Sequence, residues 1–126
     1  GIQGKATQFV MILDALQLRL LEKIRSDLAG YSVVRSTSPL DNRAIWLEIF
    51  AGGIHKGNSC QTLLKKLNIN CKEVAGLGND YNDIDFLDIC AEAYLVANAP
   101  VNLQRHYKLV RSDKEEGFTE FISKVL

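Results

Sequence analysis

From Gly53 onward the chain alternates short apolar runs with helix-patterned stretches, and this alternation constrains the fold more than any other feature. Parallel strands need a crossover between them, usually a helix, so the pattern predicts a parallel sheet flanked by helices. The spacing predicts a helix over 57–67 with Leu63, Leu64 and Leu67 turned inward, then a buried strand over 73–77. A short helix over 83–91, a strand over 93–97, a turn or helix start over 101–106 and a short strand over 108–111 follow. A closing helix over 115–125 has Phe118, Phe121, Ile122 and Val125 as its apolar face.

The texture ahead of Ala51-Gly52-Gly53 is different. Phe9, Leu13, Leu16, Leu20, Ile24 and Leu28 recur at steps of three or four, which predicts an amphipathic helix over 8–28 stopped by Gly30. Two strand-like runs, 31–36 and 44–50, flank the turn-rich stretch 36–42 and read as a hairpin. Residues 1–4, Gly-Ile-Gln-Gly, read as an untethered start or an expression scar. The expected fold class is therefore α/β: half of a Rossmann-like parallel sheet preceded by an α-β-β unit. The pieces are 5–52 and 53–126, two kinds of architecture and not two whole domains.

Length and charge narrow the function. At 126 residues the chain fits one compact domain, and an apolar fraction of 47% with 24% charged excludes a disordered chain or a fibre. Lys and Arg total 15 against 15 Asp and Glu, which removes any bulk attraction to nucleic acid or to an anionic membrane. No apolar run reaches the roughly 20 residues of a membrane helix, and no secretory leader is recognisable. Cys60, Cys71 and Cys90 are widely spaced without a C-x-x-C pair, so they read as small buried apolar residues in a reducing cytosol. The expected location is cytoplasmic.

The zero net charge conceals a local excess. Between Asn79 and Glu92 there are five acids and no Lys or Arg. At the head of that stretch, 77–85 sits where a buried parallel strand gives way to a helix, the edge at which open α/β sheets bind ligands. Asn79, Asp80, Asn82 and Asp83 form an all-oxygen set suited to a hard cation such as Mg²⁺. Asp85 and Asp88 read as a solvated helix face. A calcium loop of the EF-hand kind is excluded, because the fifth position from Asp80 is Ile84 and no glycine follows.

A second feature lies one βα unit earlier. Gly52-Gly53-Ile54-His55-Lys56-Gly57-Asn58-Ser59 places glycines on both sides of a lysine at a helix entrance. Such a turn frees backbone N–H groups to face an anion and lets Lys56 act on it as a point charge. The spacing is not that of a Walker loop. A lysine before one helix and an oxygen cluster before the next would set a phosphate-binding cation beside a metal site. His55 and His106 lack ligand partners at helical spacing and read as surface or satisfied histidines. Trp46, Tyr31, Tyr81, Tyr94 and Tyr107 read as packing, and Ser59 lacks the surroundings of a serine nucleophile.

Taken together, these motifs resemble the carboxyl-terminal half of the haloacid dehalogenase-like phosphatases, in the Cof subgroup with an α/β cap. Ile54-His55-Lys56-Gly57 with Leu63-Leu64 resembles the family's lysine motif, and Gly78-Asn79-Asp80-Tyr81-Asn82-Asp83 resembles its G-D-x-x-N-D metal motif. Val96-Ala97-Asn98-Ala99-Pro100 and Asp113-Lys114-Glu115-Glu116-Gly117-Phe118 match two further landmarks in order. The unit at 8–50 is similar to the end of the cap. The resemblance implies hydrolysis of phosphate monoesters of small metabolites through an aspartyl-phosphate, with Mg²⁺ as cofactor. It implies that Lys56 is catalytic and holds the phosphoryl group, that Asn82 contacts the phosphate, and that Asn79, Asp80 and Asp83 serve the metal, Asp83 as a second-sphere group or lysine partner.

Two departures qualify this. Asn79 stands where the family usually has a carboxylate, and the D-x-D motif carrying the nucleophile is missing. The nearest string, Val10-Met11-Ile12-Leu13-Asp14-Ala15-Leu16, has Leu16 in place of the second acid. The expectation is a carboxyl-terminal fragment, inactive alone because the covalent route is closed. The alternative is a non-catalytic binding or assembly module, pairing an open strand edge with another copy or with the missing half.

Overall fold

In the computed structural model the described residues are 4–38, 40 and 44–126; the expected loose start at 1–3 and the hairpin turn at 39 and 41–43 lie outside them. The chain divides into two compact units, Gly1–His55 and Lys56–Leu126.

The first unit is an antiparallel sheet of order β1-β3-β2, with β1 over Gln8–Asp14, β2 over Tyr31–Thr37 and β3 over Ala44–Ala51. Helix α1, Leu21–Asp27, follows a 3₁₀ turn at Ala15–Leu20. The expected hairpin is present, with Thr37 opposite Ile45 and Tyr31 opposite Ala51. The expected long helix is not. Its first seven residues are β1, registered along β3 from Gln8–Phe50 to Asp14–Ala44. Contiguous Val10-Met11-Ile12 suits a pleated strand, and pairing along all of β3 outweighs a helical period that the same apolar residues also satisfy. Leu16, assigned to an apolar helix face, is 87% exposed. Asp14 ends the strand and caps the turn, its carboxylate accepting from the Leu16 amide while Gln17 accepts from the Asp14 amide. Leu13, Leu21, Ile45 and Leu47 form the small core beneath the sheet.

The second unit carries the parallel sheet that the alternation predicts, in the order β4-β5-β6: Ala75–Gly78, Glu92–Val96 and Lys108–Val110. Both ladders are parallel, pairing Leu77 with Tyr94 and Leu95 with Leu109. Helices α2 (Lys56–Leu67), α3 (Ile84–Leu87), α4 (Val101–Gln104) and α5 (Gly117–Val125) accompany it. The core gathers Leu87, Tyr94, Leu95, Val96, Val110 and Phe121. Burying each such side chain stabilises by about 1.5–3 kcal/mol, less for a denatured chain that is already compact. Tyr94 meets Phe121 edge-on at 5.4 Å between ring centroids.

Three expected core residues lie outside that core. Leu63 and Leu67 are 54% and 57% exposed, and Phe118 is 65% exposed. Helix α2 packs chiefly against α3 and the turn before it, so only Leu64 of the predicted inward set is partly covered.

At the amino end of β5, Glu92 accepts hydrogen bonds from Lys108 Nζ and Tyr94 Oη, both at 2.8 Å. The Lys108 hydrogen bond, then that of Tyr94, then the lysine charge hold the Glu92 carboxyl below its ordinary value. A depressed carboxylate stabilises the fold at neutral pH, and that contribution disappears as pH falls through the depressed value. Lys108→Ala is expected to move the Glu92 midpoint upward in a carboxyl carbon NMR titration; an unmoved midpoint would contradict this account.

Candidate functional site

The site is built where β4 ends. After Gly78 the chain passes through Asn79 and Asp80 into a 3₁₀ turn at Tyr81–Asp83 and then α3. Asp83 folds back beneath this loop and is almost completely buried. Its Oδ2 accepts from the Asn79 amide at 2.7 Å and the Asp80 amide at 3.1 Å, while Oδ1 receives the ammonium of Lys56. Only glycine permits the fold-back, because a Cβ on Gly78 would lie 2.7 Å from the Asp83 Cβ.

Lys56 reaches this point from the first residue of α2. Its Nζ also donates to Asn82 Oδ1 at 3.3 Å. The lysine side chain is half exposed while that of its partner is buried, so the pair joins the solvent-accessible surface of the loop to its interior. The sequence thus places Lys56, Asn82 and Asp83 in contact, with Asn79 and Asp80 held on the same loop. Asn79 is exposed; Asp80 is buried and caps the turn through the Tyr81 amide at 2.8 Å.

The acid-rich stretch is dispersed by partners. Asp83 meets Lys56, Glu92 meets Lys108, and Asp88, expected only as a solvated acid, accepts from the Tyr107 hydroxyl at 2.7 Å. Burial, followed by the bond to Asp88, pushes the Tyr107 hydroxyl well above its ordinary value. The three cysteines are free, but none is buried as expected: Cys60 and Cys90 are half-buried and Cys71 is exposed.

Other polar residues tie the same sheet edge together. Tyr81, expected as packing, donates from its hydroxyl to Asn102 Oδ1 at 2.7 Å, joining the turn after β4 to helix α4. Asn98 and Asp113 exchange two bonds, Nδ2 to carboxylate at 2.8 Å and amide to Oδ1 at 3.3 Å, bridging the loops after β5 and β6. Gln104 Nε2 donates to the carbonyls of Ala97 and Ala99. Asn98 and Asp113 stand in two of the sequence landmarks; Asn102 and Gln104 carried no signal, because their partners lie on other segments.

A lysine at one helix entrance, a folded-back aspartate at the next and polar bridges along one sheet edge form a single pattern. The sequence model of the haloacid dehalogenase-like hydrolases matches residues 3–122. The chain belongs to this family. A solved relative, SMU.1108c from Streptococcus mutans, superposes with a TM-score of 0.78 at 23% identity, over 94% of this chain and 44% of its own. The subclass IIB sugar phosphatase BT4131 superposes with a TM-score of 0.75 at 14% identity, over 93% of this chain and 42% of its own. The Buchnera aphidicola protein named "Putative phosphatase BU028/BU029" is 26% identical over 82 residues, covering 63% of this chain and 30% of its own. The chain spans less than half the length of each of these relatives.

The haloacid dehalogenase-like family implies Mg²⁺, and the donor set fits the rim of such a site, not a closed one. Both oxygens of Asp83 are taken by Lys56 and two amides. No group of three His, Cys, Asp or Glu converges among the described residues. Asn79, exposed, and Asp80, buried with one oxygen accepting from the Tyr81 amide, are the other oxygen-bearing side chains of the loop, and Mg²⁺ demands a nearly complete octahedron. No helix among the described residues is long and apolar enough to cross a membrane.

Proposed function

We propose that this chain is the carboxyl-terminal part of a Mg²⁺-dependent phosphatase acting on phosphate monoesters of small metabolites through an aspartyl-phosphate. The carrying observation is the Lys56 ammonium held by buried Asp83 and by Asn82 at the carboxyl end of β4. An anchored ammonium at a half-exposed mouth neutralises a phosphoryl dianion without reorganising, which is how preorganised charge lowers a barrier. With Asn82 Oδ1 engaged by Lys56, its amide nitrogen remains to donate to a phosphoryl oxygen. Asp83 is a positioning residue, fixing the lysine and the loop together. When bound, Mg²⁺ would draw on Asn79 and Asp80 and supply further neutralisation of the phosphoryl oxygens.

The nucleophile is the part this chain does not bring. The 126-residue chain is expected to show no turnover of p-nitrophenyl phosphate with Mg²⁺ above buffer. Joined to a segment carrying the nucleophile, it is expected to turn over, and Lys56→Ala is then expected to lower kcat by about 10²–10³, as loss of one preorganised electrostatic group does. Robust turnover by the chain alone, abolished by Lys56→Ala, would overturn the fragment reading.

A further inference from the structure

The three cysteines are far apart in sequence and are brought together inside the second unit. Cys60 lies on α2, Cys71 opens the 3₁₀ turn ahead of β4, and Cys90 stands between α3 and β5. Helices α2 and α3 run side by side in the same direction. At one end Gly57 meets the Asp85 backbone, where an added Cβ would lie 2.6 Å from the carbonyl oxygen. Further along, Gln61 and Leu64 share the wall of a cavity of about 440 Å³ with Cys71, Asp88 and Ile89. Cys60 therefore sits one turn beyond the closest approach of the two helices, and Cys90 ends the turns that follow α3.

The Cys90 side chain points back toward that approach. Its thiol donates to the Phe86 carbonyl at 3.2 Å, which carries the sulfur up α3 toward the level of Cys60. The same sulfur rests against β4 where Gly76 leaves room, since a Cβ on Gly76 would lie 2.8 Å from it. Burial first, then the charge of a Cys60 thiolate, then that of Cys71, push the Cys90 thiol above its ordinary value. A thiol held protonated is a slow nucleophile. Cys60 and Cys90 are half-buried, so neither is sealed from a small oxidant. Cys71 is exposed, with its sulfur 3.7 Å from Asn70 Oδ1.

We propose that Cys60 and Cys90 are a modification site, a thiol pair that a hydroperoxide converts to a disulfide within the chain. With hydrogen peroxide, the Cys60 sulfur attacks the O–O bond and becomes a sulfenic acid, and the hydroxide released takes up the Cys60 proton as water. The Cys90 sulfur then attacks the Cys60 sulfur. The S–S bond forms, the S–O bond breaks, and the departing hydroxide leaves with the Cys90 proton as a second water. The pair loses two electrons and the peroxide gains the same two. A disulfide needs its Cα atoms within about 7 Å, a separation that the glycine contact between α2 and α3 favours. The bond ties α2 to the end of α3 one turn beyond Lys56. The inference goes beyond the proposed function and does not depend on it.

The folded chain is treated with hydrogen peroxide, alkylated and weighed intact. The expected product has lost two hydrogens and keeps one alkylatable thiol, Cys71, while dithiothreitol restores all three. Peptide mapping is expected to join Cys60 to Cys90. Cys60→Ser and Cys90→Ser are each expected to abolish the loss of two hydrogens, and Cys71→Ser to leave it intact. The amide NMR signals of Asn79 and Asp80 are expected to hold their positions on oxidation, because the bond closes without moving α2. A disulfide through Cys71, a disulfide between chains, oxygen added to the cysteines without a crosslink, or no reaction would each overturn the proposal. So would displacement of the Asn79 and Asp80 signals, which would mean that the bond forms only by pulling α2 away from α3.

Discussion

Asp83→Ala is expected to destabilise the second unit by about 3 kcal/mol. Three donors converge on this one carboxylate, and they differ in how easily water replaces it. The Asp80 amide is buried, so its loss of a partner carries the full desolvation penalty of about 1–3 kcal/mol. The Asn79 amide is only partly buried and recovers some of its bond from solvent. Lys56 is half exposed, so its share of the ion pair is worth about 0–1 kcal/mol after screening. Asp83→Asn keeps one accepting oxygen and is expected to lose about half as much. Lys56→Ala cuts the same ion pair from its exposed end and is expected to cost under about 1 kcal/mol. Urea unfolding followed by circular dichroism, with amide exchange at Asn79 and Asp80, reads all three. A loss for Asp83→Ala no larger than that for Lys56→Ala would show that the loop does not depend on the fold-back.

The same three donors mark what is legible in the sequence. The parallel sheet is readable because β4, β5 and β6 are short, largely apolar runs set between helical patterns, with Tyr94, Leu95 and Val96 of the central strand buried in succession. Lys56 and the loop at 79–83 are readable because chemistry at a strand's carboxyl end needs a lysine and oxygen donors in that order. Asp83 as a lysine partner is legible too; what escapes is the fold-back that occupies its second oxygen, set by hydrogen bonds spanning three and four residues. The bridges from Tyr81 to Asn102 and from Asn98 to Asp113 join residues far apart in sequence, where no periodicity reports contact. Strand β1 escapes for the opposite reason. Its apolar residues satisfy two periods at once, and only a partner strand found thirty-odd residues later decides between them. The same partner explains why the β1 run ending at Asp14 is a sheet strand of the first unit, not a nucleophile-bearing strand of the parallel sheet.

Gly57→Ala is expected to damage the same site from the helix side, and it inverts the ordinary rule for helices. Alanine within a helix normally gains about 0.5–1 kcal/mol over glycine. At Gly57 an added Cβ would lie 2.6 Å from the Asp85 carbonyl oxygen and 2.9 Å from its carbonyl carbon. Those are backbone atoms, and no side-chain rotation relieves the overlap. Helix α2 must move away from α3, and Lys56, the residue before Gly57, moves with it. The expected net cost is about 1–3 kcal/mol, the usual range for overpacking, with the Asn79 and Asp80 amides shifting as the lysine leaves Asp83. Trp46, the single tryptophan, lies in the other unit, so amide exchange along β4 and α3 is the suitable readout. Gly30→Ala is the control: nothing lies within 4 Å of the added carbon, and its effect is expected within about 0.5 kcal/mol of zero. If Gly57→Ala proves as neutral as Gly30→Ala, close approach of α2 to Asp85 is not what holds Lys56 at the loop.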